Sequence, residues 1–132
     1  ITSPGDDMEV RACMRYIVKN PQPSYLRLAK TKNKILHKKI PSVKPGKWLP
    51  ISIKHPKSKK IFLTTGNIAG LAKGLLTRAK YNKFSLYSLP IWGMKFKNIQ
   101  LNQLKKYDQV MVLEDHLEDG GFGSWIKEST NN

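Results

Sequence analysis

Apolar residues follow two different periods along this chain, and each change of period marks a change of element. Lys60-Ile61-Phe62-Leu63-Thr64-Thr65 is a short apolar run closed by Gly66-Asn67, with the length and composition of a buried strand. Ile68 to Tyr81 then reads as a helix, with Ile68, Leu71, Ala72, Leu75 and Leu76 along one face. Gly66, Gly70 and Gly74 recur every fourth residue, so a helix carrying the last two can pack its backbone closely on a sheet. Phe84 to Leu89 is a second strand, followed by Pro90 and a loop containing Trp92. Asn98 is placed to cap a short helix from Ile99 to Tyr107, with Leu101 and Leu104 inward. Val110-Met111-Val112-Leu113 is a third strand, and a third helix starts at Ser124-Trp125-Ile126. Strands alternating with helices predict right-handed crossovers and a three-layer α/β/α fold around a small, mainly parallel sheet.

The preceding residues have another texture. Met8–Ala12 and Cys13–Ile17 are apolar i, i+4 pairs, and Ser3 or Asp6 can cap the helix they imply, with acids in its first turn. Asn20-Pro21-Gln22-Pro23 ends that helix, and Ser24 to Leu28 reads as a short strand. Residues 29–60 hold eleven Lys and four Pro, with only short alternations around Ile51 and Ile53. They predict an extended linker, from about residue 31 to 60, with Trp48 and Leu49 as an anchor.

Composition narrows the function classes. One Cys, Cys13, excludes an internal disulfide or a multi-cysteine metal site and fits a reducing cytoplasm. No apolar run approaches the roughly 20 residues that span a bilayer. The chain opens at Ile1 without a leader pattern and is expected to be a processed or excised piece. The net charge is +15, and all nine acids lie at the two ends, so 23 of the 24 Lys and Arg occupy an acid-free stretch between Val10 and Tyr107. That field attracts polyanions and phosphorylated ligands, which keeps a small basic nucleic-acid-binding module as a rival reading. Twenty of the 24 cations are Lys, the poorer residue for bidentate phosphate recognition, which argues for a solvated surface and against nucleic acid.

Candidate chemistry gathers between Glu114 and Ser124. Glu114, His116, Glu118 and Asp119 could bind a metal or move a proton, but a lone His supplies one ligand, and His37 and His55 lie in the linker. Gly120-Gly121-Phe122-Gly123 ahead of a helix could cradle an anion, although it lacks the dinucleotide and phosphate-loop patterns and five acids stand nearby. The glycines are read as steric, permitting a tight turn and close packing.

Four motifs in order resemble the carboxy-terminal region of transketolase-type enzymes. They are Ser3-Pro4-Gly5-Asp6 with Glu9, Pro23-Ser24-Tyr25-Leu26-Arg27-Leu28, Thr64-Thr65-Gly66 before a helix, and Val112-Leu113-Glu114-Asp115-His116 with Gly120-Gly121-Phe122-Gly123-Ser124. The resemblance implies that residues 1–30 end a pyrimidine-binding domain and that 61–132 form a carboxy-terminal domain whose last strands are missing. It implies thiamine-diphosphate-dependent transfer of a two-carbon ketol unit between sugar phosphates. Deoxyxylulose-phosphate synthase and the beta subunit of 2-oxoacid dehydrogenases are the alternatives. Thiamine diphosphate and its divalent metal would be held by a missing amino-terminal part or a separate subunit, in a homo-oligomer, so this chain alone would neither bind the cofactor nor turn over. In similar enzymes an arginine at this strand holds a substrate phosphate, which makes Lys30 and Arg27 the substrate-binding candidates. Glu114, His116, Gly120, Gly121 and Gly123 become an interface motif. No residue here is expected to be catalytic, and none to bind a metal.

Overall fold

The computed structural model describes residues 1–30 and 35–130. Four strands form one sheet in the order β1-β3-β2-β4: β1 (Leu49–Ser52), β2 (Lys60–Thr64), β3 (Ser85–Ser88) and β4 (Gln109–Leu113). β2 lies parallel to β3 on one side, Ile61 opposite Ser85, and parallel to β4 on the other, Ile61 opposite Val110. The sheet is therefore parallel where the β-α-β pattern required it. β1 is antiparallel to β3, with an irregularity between Pro50 and Ser52.

Alternation along the strands sends side chains to two separate cores. Phe62, Leu86, Met111 and Leu113 face α2 (Ile68–Leu75), packing with Ala72, Leu76 and Phe84. Leu63, Tyr87, Val110 and Val112 face the other way, against Leu104 of α3 (Asn98–Leu104) and Phe122, Trp125 and Ile126 of α4 (Phe122–Glu128). Helices on both faces of a mainly parallel sheet make the three-layer α/β/α arrangement the sequence pattern predicts. The opening helix, α1 (Asp7–Lys19), is capped by Asp6, whose side chain accepts from the Glu9 amide at 2.9 Å. It begins beside α2: a Cβ on Gly5 would lie 3.1 Å from the Gly66 carbonyl oxygen and 3.2 Å from Ala69 Cβ.

Several local expectations need correcting. The Lys/Pro-rich stretch ends in β1, an edge strand of the same sheet; its residues 31–34 lie outside the described residues. Pro50 is tolerated there because an edge strand can lose a donor. Trp48 does anchor the stretch: its indole Nε1–H donates to Gln100 Oε1 at 2.8 Å and its ring stacks on Tyr107. Ser24–Leu28 is not a strand but a single bridge, Leu26 to Thr2, held by Thr2 N to Tyr25 O and Arg27 N to Thr2 O, both 2.8 Å. α2 stops at Leu75 and a separate 3-10 turn covers Ala79–Tyr81. Leu71 is 56% exposed, so the inward face is Ala69, Ala72 and Leu76. Gly74 faces open space, Gly70 is buried in α2, and Gly5 also makes a close approach to the Gly66 turn. No described helix is long and apolar enough to cross a membrane.

Candidate functional site

β2 and β4 are neighbours whose chains leave in opposite directions. After Thr64, the residues Thr65-Gly66-Asn67 lead to α2 on one face; after Leu113, the stretch from Glu114 leads to α4 on the other. The carboxyl ends of such diverging strands leave a crevice, the usual ligand position in open α/β sheets. Here it holds two adjoining clefts. One, of about 250 Å³, is lined by Tyr25, Arg27, Trp92, His116, Gly120 and Phe122 among others. The other, of about 180 Å³, brings Arg27 and Lys30 together with Gly66 and Asp115. Ser3, Arg27, Asn67 and Asp115 line both.

Each expected residue has a definite place. Arg27 reaches over the β4 exit, its Nη2 donating to the Asp115 backbone oxygen at 3.1 Å. Lys30 stands exposed on the rim of the smaller cleft, and His116 on the rim of the larger. Glu114 is not free to take a ligand. Its Oε2 accepts from Phe122 N at 2.6 Å and its Oε1 from Gly123 N at 2.9 Å, so it caps the start of α4. An anion bound to the first orphan amides of a helix is favourable on both hydrogen-bond and dipole grounds. That cap explains two glycines: a Cβ on Gly121 would come within 2.5 Å of Glu114 Oε2, and one on Gly123 within 2.6 Å of Oε1. Gly120 is required differently, by a backbone φ of 69°. The five acids nearby thus include one that occupies the amide cradle itself, and the glycine turn offers no anion site.

Ser3, Asn67 and Trp92 were not among the expected site residues. Ser3 lay within a motif read as a helix start, and Trp92 in an unassigned loop. Only the fold brings the first residues of the chain to the β2–β4 crevice, through Ser3 N donating to Pro90 O and Gly66 N to Ser3 O, both 2.8 Å.

A second polar group lies away from the crevice. Asp6, Glu9 and His37 converge closely enough to hold a metal ion, a juxtaposition invisible in their spacing. All four carboxylate oxygens are already used. Asp6 Oδ1 accepts from Glu9 N, and Oδ2 from Leu36 N and His37 N at 2.8 and 2.9 Å. Glu9 Oε2 accepts from Gly5 N and from the Ser88 hydroxyl at 2.8 and 3.0 Å, and His37 Nε2 lies 2.9 Å from Oε1. The cluster pins the connecting segment to α1. Cys13 is no nucleophile either: burial, and then the Glu9 charge, push its thiol up to about 12.

No protein-family model matches the chain, and no curated protein matches it. Among solved structures it is similar to a chain of a split-gene transketolase, an inactive beta4 tetramer, with a TM-score of 0.80 at 16% sequence identity. The match covers 98% of this chain and 43% of that one. The chain has a transketolase carboxy-terminal-domain-like fold. It spans less than half the length of the transketolase chain it matches, and the likeness extends across both the opening helix and the crevice.

Proposed function

We propose that this chain is the carboxy-terminal section of a transketolase-like enzyme that transfers a two-carbon ketol unit between sugar phosphates. The observation that carries the reading is the placement of Arg27 and Lys30 at the β2–β4 crevice of a fold shared with a split-gene transketolase chain. In this reading Lys30 and Arg27 attract and orient the phosphate of the sugar, as a point charge and a planar fork respectively. The rest of the chain is scaffold.

Neither the Asp6–Glu9–His37 cluster nor Glu114 offers a free carboxylate for the divalent metal of thiamine diphosphate. The Asp6–Glu9–His37 cluster has every carboxylate oxygen committed, and Glu114 is committed to α4. In this reading the cofactor, which supplies the carbanion chemistry, belongs to an amino-terminal part of the same enzyme or to a separate subunit. Exposed apolar side chains beside the crevice support such a contact: Tyr25 is 64% exposed, Leu28 55% and Leu117 76%. Glu114, His116 and the glycine turn shape that docking rim. A cytoplasmic homo-oligomer is the form expected.

The test is to join the chain to a cofactor-binding amino-terminal part and assay ketol transfer between sugar phosphates. Lys30→Ala is expected to raise KM for a phosphorylated acceptor about tenfold or more, the scale of one lost charge-assisted contact, with kcat little changed. An unchanged KM removes Lys30 from the substrate phosphate. Activity with pyruvate as donor in place of a ketose phosphate would favour the synthase alternative.

A further inference from the structure

We infer that the edge of the sheet opposite the crevice binds the sugar–phosphate backbone of a double-stranded nucleic acid, without reading its sequence. This surface is separate from the crevice and owes nothing to the function proposed above.

Along the sequence the cations look dispersed, and the fold collects them. Residues 53–60, 78–83 and 105–108 hold nine Lys or Arg and one acid, Asp108, and all nine cations are exposed. The sheet topology brings these three segments to one place. β2, β3 and β4 run parallel, so Lys60, Lys83 and Lys106 stand at or just before the amino ends of three neighbouring strands. β1 runs the other way, which brings its carboxyl end, and the turn carrying Lys54 and Lys57, to the same edge. α2 returns from the crevice side to this edge, and Arg78 and Lys80 follow it. Strands lie about 4.8 Å apart, so four of them spread the charges along a row of about 14 Å.

The backbone under this row is fixed. Asp108 N and Gln109 N both donate to Lys59 O, at 2.8 and 3.1 Å, and Lys106 N donates to Gln103 O at 3.2 Å. The side chains stand free for a partner. Among the described residues, the nine charged heads make two contacts, Lys59 with Asp108 at 3.9 Å and Lys80 over the Tyr81 ring at 5.4 Å. Repulsion between like charges this close opposes the compact state, and a bound polyanion relieves it. The acids that follow β4, among them Asp115, Glu118 and Asp119, lie at the other end of the sheet. The chain is therefore polarised and turns this edge toward an approaching polyanion.

The rest of the edge selects the partner. Its one exposed large apolar residue among those described is Ile53, at 40%. A protein interface has a buried apolar centre, and a membrane surface gains from inserted apolar side chains; neither finds a counterpart here. Single-stranded nucleic acid is held by stacking on free aromatic rings. Tyr81 and Tyr107 are half-buried and engaged, the first with Phe62 and Phe84, the second with Trp48 and Tyr87. A duplex needs neither feature: it carries one charge per about 1.7 Å of its axis, and lysines that neutralise its phosphates release its counterions. Lys in place of Arg is a handicap at base edges but not at phosphates met as point charges.

The experiment is fluorescence anisotropy of a labelled DNA duplex of about 20 base pairs, titrated with the protein from about 50 to about 200 mM sodium chloride. About four phosphate contacts are expected, so binding should weaken on the order of a hundredfold across that range, equally for a duplex of unrelated sequence. Lys83→Gln with Lys106→Gln removes two contacts and should leave a salt dependence of about tenfold. A second edge pair, Lys57→Gln with Lys105→Gln, should repeat that effect. Lys38→Gln with Lys95→Gln is the control. Both residues are exposed at the crevice end, one after His37 and the other beyond Trp92, and their loss should leave the salt dependence unchanged. Equal effects of the edge and control pairs would overturn the proposal, because net charge alone would then explain the binding. So would tighter binding to the matching single strand, or binding to phosphatidylserine vesicles and not to the duplex.

Discussion

Replacing Gly123 by alanine should destabilise this protein, and the same replacement should stabilise it once Glu114 is gone. Gly123 is the second residue of α4, in helical backbone, where alanine ordinarily improves on glycine by about 0.5–1 kcal/mol. What forbids alanine is one atom: the new Cβ would lie 2.6 Å from Glu114 Oε1, with its next neighbours at ordinary distances. The carboxylate must move and give up its bonds to the Phe122 and Gly123 amides. Hydrogen bonds to a charged group are worth about 1.5–3 kcal/mol each, and Glu114 is only partly buried, so about 2 kcal/mol for the pair is a fair discounted figure. Gly123→Ala alone should then cost about 1–2 kcal/mol. In a Glu114→Ala background it should gain about 0.5–1 kcal/mol, a coupling of about 2 kcal/mol. Gly121→Ala is the control. Its Cβ would also meet the Leu117 carbonyl oxygen at 2.5 Å, a backbone atom, so it should destabilise in both backgrounds. Urea unfolding followed by far-ultraviolet circular dichroism gives all the required differences. Equal costs for Gly123→Ala with and without Glu114 would refute the cap as the reason for the glycine.

Glu9→Ala should cost about 3–5 kcal/mol by urea titration, since Gly5 N, the Ser88 hydroxyl and His37 all lose a fully buried partner. His37→Ala should cost markedly less, because Glu9 keeps its other two donors; the opposite ranking would place the anchor elsewhere. Cys13 should make the fold sensitive to alkali. Its thiol is raised from 9.0 to about 12 in the folded protein, so its contribution is fully present below pH 9 and is lost as pH rises toward 12. The slope is about 1.4 kcal/mol per pH unit at most, and Tyr87, also raised by burial and by Tyr107, adds to it at higher pH. Stability measured from pH 8 to 11 should flatten in Cys13→Ala, and an identical slope in that variant would discharge Cys13 of the role.

Much of this architecture was legible because β2, α2, β3, α3 and β4 each carry their own periodicity, and burial on both faces makes parallel strands read as plain apolar runs. β1 was not legible for the opposite reason. Leu49–Ser52 is partly exposed, contains a proline and is stabilised by its pairing with β3, which is distant in the sequence, rather than by its own pattern. The short helices ended early where no residue paid for continuation: α2 loses its inward face after Leu76, and Gly74 contributes no contact. At the site, the steric reading of Gly121 and Gly123 follows from residue type alone, but the atom they avoid, Glu114, is known only from the fold. Lys30 and Arg27 could be nominated from sequence because their charge is local information. Ser3 and Asn67 could not, since their place at the crevice is a property of three-dimensional neighbours.

The role proposed for the chain is to complete a thiamine-dependent enzyme whose cofactor is held elsewhere. It is tested most directly by joining the chain to a cofactor-binding amino-terminal part and measuring thiamine diphosphate binding and ketol transfer in each part and in the joined form. No transfer is expected from this chain by itself, and transfer in the joined form should be lost on chelating the divalent metal. Thiamine diphosphate bound tightly by the chain alone would contradict the assignment, and so would a joined enzyme that binds the cofactor and transfers nothing.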